Sequence, residues 1–247
     1  MHFNVIASGS KGNATLVITS KANILIDLGI CLKKLNEGLK EENLSISDID
    51  IALFTHNHTD HIAGLKCLSP KKLYALEGTL PTESNILKEK EIFNYKGIEI
   101  IPFKVSHDAV NPCGYVIIDG NEKLVYMTDT GIFLEDDLDL LKDPTFLIIE
   151  SNHDISMLLK TDRTMELKQR ILSDHGHLCN EDSAFATLNI IGPHTKEIVL
   201  AHLSEEANTP ELALEAYTKI FKYAHVDISR FKIRCANQWT SLRGGDI

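Results

Sequence analysis

The residues best suited to chemistry lie in one short segment, His56-Asn57-His58-Thr59-Asp60-His61, directly after an apolar run. Imidazole and carboxylate groups are ligands for divalent metal ions. Side chains two positions apart in an extended segment point the same way, so we expect His56 and His58 to bind one ion together. The turn into a following helix would direct Asp60 and His61 toward a second ion. The alternative is a polar turn that caps a helix; the four residue types in this spacing favour the metal site.

Three single residues further along the chain complete a possible ligand set. His107, Asp129 and His202 each follow an apolar strand-like run, at a point where a loop presents side chains at the edge of a sheet. Taken singly, each has an ordinary alternative: a surface or hydrogen-bonded histidine, or an Asx turn at Asp129. Their shared position after strands favours a common site with the histidine-rich segment.

The elements that must position these residues alternate between strands and helices. Apolar runs predict strands over residues 3–7, 15–19, 23–27, 51–55, 72–76, 97–105, 114–119, 123–129, 145–150 and 197–203. Helices are predicted over residues 30–40, 62–68, 80–90 and 210–224, and within 157–191. Gly120 and Asn121 predict a hairpin turn. Two runs of strands, each followed by helices, predict an α/β fold of two mixed sheets back to back with helices outside. No linker is visible, so we expect one domain over residues 1–247.

Composition narrows the class of protein. The chain has 247 residues, of which 43% are hydrophobic, and no apolar run is long enough to cross a membrane. Its 5 cysteines are odd in number and scattered, which argues against a disulfide framework and favours a reducing cytoplasm. A net charge of −10 argues against general attraction to nucleic-acid phosphates, although bound divalent ions would invert the charge locally. No obligate protein partner is indicated.

In this order, the candidate ligands resemble those of the metallo-β-lactamase fold superfamily, which has H-x-H-x-D-H, then a single His, a bridging Asp and a final His. The resemblance implies a four-layer αβ/βα sandwich. It implies that one ion is bound by His56, His58 and His107, the other by Asp60, His61 and His202, with Asp129 as the bridge. The presence of Asp129 favours the two-metal hydrolases of the superfamily, such as phosphodiesterases and thioesterases.

Segments outside the ligands resemble a narrower group, the YycJ/WalJ bacterial metallo-hydrolases, which are associated with 5′-to-3′ exonuclease action on DNA. These segments are SGSKGN at residues 8–13, ESNHD at 150–154, RILSD at 170–174, GHLCN at 176–180 and LAHLS at 200–204. The chain departs from the group's pattern at Cys179, where serine is favoured, and at Ala207, where asparagine is favoured. The resemblance implies a dinuclear phosphodiesterase that attacks DNA with a metal-bridging hydroxide.

The implied chemistry also suggests roles for residues in addition to the metal ligands. Asp60 would orient the attacking hydroxide, and His175 or His177 would donate a proton to the leaving oxygen. Ser10 and Asn13, in a glycine-rich turn that is able to receive a phosphate, and Asn152 and His153 would bind substrate. The alternatives are a plain hairpin turn and histidines that belong to loops or helix caps.

The expected cofactors are two divalent ions. The ligand set contains no thiolate, which fits Zn²⁺, Mn²⁺ or Fe²⁺, and the resemblance favours manganese or zinc. DNA is the expected substrate. A small-molecule hydrolase, such as a thioesterase or a cyclic-nucleotide phosphodiesterase, is the alternative enzyme, and a non-catalytic metal-binding protein is a third interpretation.

Overall fold

The computed structural model describes residues 1–246, in which fourteen strands form two mixed sheets of seven strands each. The strands are β1 His2–Ala7, β2 Ala14–Ile18, β3 Asn23–Ile26, β4 Ile51–Leu53, β5 Leu73–Leu76, β6 Asn85–Leu87, β7 Phe93–Tyr95, β8 Ile98–Lys104, β9 Cys113–Asp119, β10 Glu122–Met127, β11 Phe146–Glu150, β12 Glu197–Ala201, β13 Lys232–Cys235 and β14 Leu242–Gly245. The helices are α1 Leu32–Glu41, α2 Thr59–Ile62, α3 Leu138–Leu141, α4 Ile155–Lys160, α5 Met165–Ile171, α6 Asn180–Ile190 and α7 Pro210–Tyr223. None of these helices is both long and apolar enough to span a membrane.

The chain divides into two compact units. Unit 1 comprises Met1–Lys104, Ala109–Asn121 and the chain from Ala236 on; unit 2 comprises Val105–Asp108 and Glu122–Cys235. The expectation of one domain over residues 1–247 stays a prediction.

Unit 1 contains one complete sheet, in the order β14-β1-β2-β3-β4-β5-β6. The first three strands form the predicted antiparallel meander, and β3 to β6 run parallel. Nearly every residue of β1 to β4 is buried, as expected for strands covered on both faces. The buried leucines of α1, Leu35 and Leu39, belong to the same hydrophobic core as Leu16 and Leu25 of the sheet. This packing fixes the end of β4, where the histidine-rich segment begins.

Unit 1 also contains the antiparallel strands β7, β8 and β9. The hydroxyl of Tyr115 on β9 donates to the carbonyl of Phe54 (2.6 Å), and the Cys113 N–H donates to the carbonyl of Thr55 (3.0 Å). Cys113 and Tyr115 are both fully buried. The backbone that leads into His56 is therefore held by β9 as well as by its own sheet.

The helix predicted over residues 80–90 is wrong. The segment forms the short edge strand β6, which pairs in parallel with β5 from Tyr74↔Asn85 to Leu76↔Leu87. Its charged residues favour a helix locally, but pairing with β5 satisfies the backbone and buries Leu87, while Ile86 stays exposed. Local propensity is overridden here by a contact with another strand.

Unit 2 contains β10 to β13, which all run parallel to one another. Helices α6 and α7 pack together through a buried hydrogen-bond network in which Tyr217 bonds both Ser183 (2.7 Å) and Thr187 (2.8 Å). Ser183 also donates to the carbonyl of Glu150 at the end of β11. The helices therefore hold the end of β11, one of the two inner strands of this unit.

The helix-rich stretch of residues 157–191 is confirmed, but with breaks. It contains α5, α6 and part of α4, and His175 and His177 lie in the loop between α5 and α6. Cys179 is the N-cap of α6, and its sulfur accepts from the Asp182 N–H (3.4 Å).

Candidate functional site

In unit 1 the histidine-rich segment runs from the end of β4 into α2. His58 lies on extended backbone. The ring centroids of His56 and His58 are 4.7 Å apart, edge to face, and those of His56 and His61 are 4.0 Å apart. His58 is the N-cap of α2, so the helix begins inside the segment, at Thr59, rather than after it. Three imidazoles are thus brought together. The expectation that His56 and His58 bind one ion and His61 another stays a prediction.

A buried carboxylate fixes the ring of His61. Asp27, which follows β3, is fully buried, and its Oδ2 lies 2.8 Å from Nδ1 of His61. Because a carboxylate only accepts hydrogen bonds, Nδ1 carries the proton and Nε2 is the nitrogen able to bind a metal. Asp27 also accepts from the N–H (2.9 Å) and the hydroxyl of Thr55. Such a carboxylate partner is typical of histidines that bind metals.

Asn13 lies on the other side of the same ring. Its Nδ2 is 3.0 Å from Nε2 of His61, and its backbone N–H donates to the carbonyl of Asp60 (2.8 Å). Gly29 donates to the carbonyl of Asn13 (2.8 Å) and lies so close that a Cβ there would be 1.6 Å from the Asp60 carbonyl oxygen. Asn13 is fully buried, whereas Ser10 is exposed. Their predicted substrate-binding role stays a prediction.

In unit 2, Glu150, the last residue of β11, accepts hydrogen bonds from two histidines and two backbone N–H groups. Its side chain is fully buried, and Oε1 accepts from Nδ1 of His177 (2.8 Å) and of His202 (2.9 Å). Oε2 accepts from the backbone N–H groups of Thr130 (3.0 Å) and Leu178 (3.2 Å). Burial alone would raise the pKa of Glu150, but the charge and hydrogen bonds of the two histidines hold that pKa well below its usual range. Glu150 is therefore an anion that fixes two imidazoles.

The three predicted ligands of unit 2 are all buried. His202 Nδ1 lies 3.5 Å and His107 Nε2 lies 4.0 Å from Oδ1 of Asp129. His107 Nδ1 faces the carbonyl of Gly176 at 3.1 Å, so the proton belongs on Nδ1 in this ring too. Burial lowers the pKa of His107, against the raising effect of Asp129, and this favours the neutral form that binds metals.

Three residues of the candidate site have left-handed backbone. Asp27, Asp129 and His202 have φ values of 57°, 56° and 55°. Residues other than glycine rarely adopt this conformation, which costs of the order of 1–3 kcal/mol at each position.

The remaining predicted residues of unit 2 lie around these ligands. Asn152 donates to the carbonyl of His202 (2.9 Å), and His153 is buried with its Nδ1 3.3 Å from Oδ1 of Asn152. Burial lowers the pKa of His153 to about 4. His175 is exposed and hydrogen bonds the hydroxyl of Ser106 (3.0 Å), so of the two predicted proton donors only His177 reaches Glu150.

One cluster in unit 2 has the composition of a metal site. Asp129, Glu150, His177 and His202 each offer a donor atom, and these atoms all lie within 4.8 Å of one another. Imidazole and carboxylate donors without thiolate suit zinc, manganese or iron. Nδ1 of His61, of His107 and of His202 is held by a hydrogen bond, which leaves Nε2 of each ring as the nitrogen able to bind a metal.

Sequence reasoning missed the two carboxylates that orient these rings. Asp27 and Glu150 each end or follow an apolar strand, as the recognised His107, Asp129 and His202 do. The signal was therefore present in the sequence, but a carboxylate after a strand is common at surfaces, and only the fold shows that both are buried.

Comparisons with known proteins agree with this architecture. Residues 22–203 match the family model of the β-lactamase superfamily domain. The chain is 38% identical over 236 residues to the exodeoxyribonuclease YycJ of Bacillus anthracis, covering 90% of this chain and 89% of the relative. It is 39% identical over 227 residues to the exodeoxyribonuclease WalJ of Streptococcus pneumoniae, covering 85% and 84%.

Solved structures show the same fold. The metallo-β-lactamase fold protein YhfI of Bacillus subtilis superposes with a TM-score of 0.71 at 17% identity, covering 98% of this chain and 99% of that one. Zinc-bound PqqB of Methylobacterium extorquens gives a TM-score of 0.70 at 14% identity with full coverage of both chains. The predicted fold class is confirmed, and the chain belongs to the metallo-β-lactamase fold superfamily and, within it, to the YycJ/WalJ family.

Proposed function

We propose that this chain is a metal-dependent phosphodiesterase that degrades DNA from the 5′ end. The observation that carries the proposal is its identity of 38–39% with two exodeoxyribonucleases, over more than four fifths of each chain. The buried histidines support the proposal, because a carboxylate holds Nδ1 of His61 and of His202. Such a partner is typical of histidines that bind a metal through Nε2.

The proposal assigns two divalent ions, manganese or zinc, to the seven predicted ligands. These are His56, His58 and His107 for one ion, Asp60, His61 and His202 for the other, and Asp129 between them. Two such ions supply a water of lowered pKa and stabilise negative charge on a phosphodiester. The chain's own part is to hold the ligand rings in the right tautomer, which Asp27 does for His61 and Glu150 for His202.

His177 is the better candidate for the proton donor. It is half-buried, and Glu150 fixes its Nδ1, so Nε2 is the atom that would exchange a proton with the leaving oxygen. His175 is exposed and bonded to Ser106, which makes it the second choice. Asp60 would orient the attacking water.

The proposed substrate-binding residues divide into two groups. Asn13 and Asn152 are buried and contact His61 and His202, so we assign them a positioning role next to the substrate. Ser10 and His153 keep the predicted role of contacting the DNA phosphates. All five cysteines are free, which is consistent with the proposed location in a reducing cytoplasm.

The test is release of nucleotides from DNA oligonucleotides that are 5′-phosphorylated and blocked at the 3′ end. Metal-stripped protein is assayed after Mn²⁺ or Zn²⁺ is restored, beside His58→Ala and the matched control His194→Ala, a histidine that is exposed and paired with Asp143. We expect metal-dependent shortening from the 5′ end that only His58→Ala loses. Intact DNA with either ion, together with hydrolysis of a thioester or a cyclic nucleotide, would replace the nuclease by the small-molecule hydrolase.

A further inference from the structure

The single tryptophan of the chain lies exposed beside the glycine-rich loop of unit 1. Trp239 is 59% exposed, an unusual position for the largest aromatic side chain. The ammonium group of Lys11 lies 5.3 Å from its ring centroid, and that of Lys34, on α1, donates to its carbonyl oxygen (2.7 Å). An aromatic face and two cations therefore share one small surface, here called the Trp239 surface.

The Trp239 surface rests on a rigid support. The buried side chain of Gln238 donates to the carbonyl of Gly12 (2.9 Å) and accepts from the Lys11 N–H (2.8 Å). Gly12 has a φ of +146°, and a Cβ there would lie 2.5 Å from the carbonyl oxygen of Gly29. The Trp239 N–H donates to Oδ1 of Asn237 (2.8 Å). Lys11 and Gly12 are thus fixed to Gln238, and the backbone of Trp239 is fixed to Asn237, although the Trp239 side chain is exposed.

The loop that contains Lys11 and Gly12 continues into Asn13, which contacts the predicted metal ligand His61. Asn13 follows Gly12 in sequence, and its Nδ2 lies 3.0 Å from Nε2 of His61. Two residues of chain span at most about 7 Å, so Lys11 is close to the residue that contacts His61. A strand that reached the proposed metal ligands would have the Trp239 surface beside its path.

The chemistry of the surface fits a single strand of DNA. Each nucleotide offers a flat base and a negative phosphate, and proteins that bind single strands combine exposed aromatic rings with basic side chains for this reason. The whole chain carries a net charge of −10, so two lysines beside an exposed indole form a local exception on an acidic protein. We propose that the Trp239 surface binds the substrate strand next to the metal site, with a base stacked on Trp239 and phosphates held by Lys11 and Lys34. This inference rests on the proposed nuclease function.

The experiment uses the full-length, metal-loaded protein and a nuclease-resistant phosphorothioate oligothymidylate. Because Trp239 is the only tryptophan, intrinsic tryptophan fluorescence reports on this surface alone, and stacking of a base should quench it. By fluorescence anisotropy of a labelled strand, Trp239→Ala should weaken binding roughly 5- to 150-fold, the range expected for loss of one stacked base. Trp239→Phe should lose much less, since it keeps an aromatic face.

The lysines are tested by salt dependence. Each of Lys11→Ala and Lys34→Ala should lower the slope of log affinity against log salt by about 0.7, the value for one phosphate contact to a single strand. Lys11→Arg should restore the slope. Tyr223→Ala is the matched control, because Tyr223 is also an exposed aromatic residue, 80% exposed at the end of α7. Its affinity and salt slope should equal those of the wild type.

The outcomes separate this inference from the proposed function. If the wild type degrades DNA while Trp239→Ala keeps the wild-type affinity and KM for DNA, or if DNA binds without quenching the fluorescence, the inference is wrong and the nuclease stands. If the wild type neither binds nor degrades DNA with either metal, the proposed function fails first. Weaker binding by Trp239→Ala, with the same thermal unfolding as the wild type, supports the inference.

Discussion

Replacement of Glu150 by glutamine removes one negative charge and changes almost nothing in volume. In the wild type, Oε1 accepts from the Nδ1 atoms of His177 and His202, and Oε2 accepts from two backbone N–H groups. A glutamine side chain has one acceptor oxygen and one NH₂ group, so one of these two pairs of donors must face an NH₂. The orientation of the amide decides which property of the protein is lost.

The cheaper orientation turns the NH₂ toward the imidazoles. The backbone N–H groups of Thr130 and Leu178 cannot change, and leaving both buried without an acceptor would cost about 1–3 kcal/mol each. A neutral imidazole is able to accept at Nδ1 by moving its proton to Nε2. In that tautomer His202 has no lone pair at Nε2 for a metal. We therefore expect Glu150→Gln to lose metal affinity toward the upper end of the 10- to 100-fold range typical of such partners, about 3 kcal/mol.

The assay is competition between metal-stripped protein and a chromogenic chelator for Zn²⁺ or Mn²⁺, beside urea unfolding of the metal-free protein. Glu197→Gln is the matched control, because Glu197 is also buried in unit 2, at the start of β12, but pairs with Arg234 and Lys232. Both variants should lose about 1.5–3 kcal/mol of unfolding free energy, since each loses charge-assisted hydrogen bonds. Only Glu150→Gln should lose metal affinity. Equal affinities of both variants and the wild type would refute the role assigned to Glu150.

Three further changes test other parts of the site. Asp27→Asn should lower metal affinity 10- to 100-fold in the same chelator assay, because the amide no longer holds the proton of His61 on Nδ1. The pKa of about 4 for His153 means that, between about pH 4 and pH 6.5, this ring is neutral in the folded protein but protonated in the unfolded chain. The unfolded state then binds more protons, so stability falls as the pH falls from 6.5 toward 4; between pH 7 and pH 4.5 the metal-free wild type should lose about 2–3 kcal/mol more than His153→Gln in urea unfolding. Gly29→Ala should lower the melting temperature sharply, since its Cβ would lie 1.6 Å from the carbonyl oxygen of Asp60, a backbone atom that cannot move aside cheaply.

Each of these changes has a control elsewhere in the chain. Asp119→Asn removes a carboxylate that pairs with the exposed Lys21, and it should leave metal affinity unchanged. His225→Asn removes a histidine that is exposed after α7, so it serves as the control for loss of a histidine without loss of a buried ring. Gly120→Ala places a Cβ with no atom within 4 Å, and its cost should be only about 1 kcal/mol from the φ of +62°. If Gly120→Ala and Gly29→Ala lowered the melting temperature equally, the close packing at Gly29 would not be the cause.

The central elements of the fold were predictable because their signals are local. The strands β1 to β5 and β8 to β12 are apolar runs, and α1 and α7 show helical periodicity in their buried residues. Strands β7, β13 and β14 carry no such pattern. For example, Leu242–Gly245 contains two glycines and an arginine, and becomes a strand only by pairing with β1. Short strands at a sheet edge are created by tertiary pairing, which one sequence does not display.

In the candidate site, too, some features have a local signal in the sequence and others depend on tertiary contacts. The spacing of the histidine-rich segment was informative because side chains two positions apart in an extended chain point to the same side. The rings of His56 and His58 do lie together. The roles of Asp27 and Glu150 depend on contacts 34 and 52 residues away in sequence, to His61 and His202. Trp239 lies in a segment without pattern, and only the fold places it beside Lys11.

The left-handed backbone of Asp27, Asp129 and His202 has a consequence for how relatives of this chain diverge. Glycine would hold each of these backbones at lower cost, and asparagine tolerates them better than most residues. In a relative that no longer needs a metal, glycine or asparagine in place of Asp129 would relieve this backbone strain. The same change at Asp27 or His202 would also remove buried hydrogen bonds, to Thr55 and to Glu150, and these offset the relief.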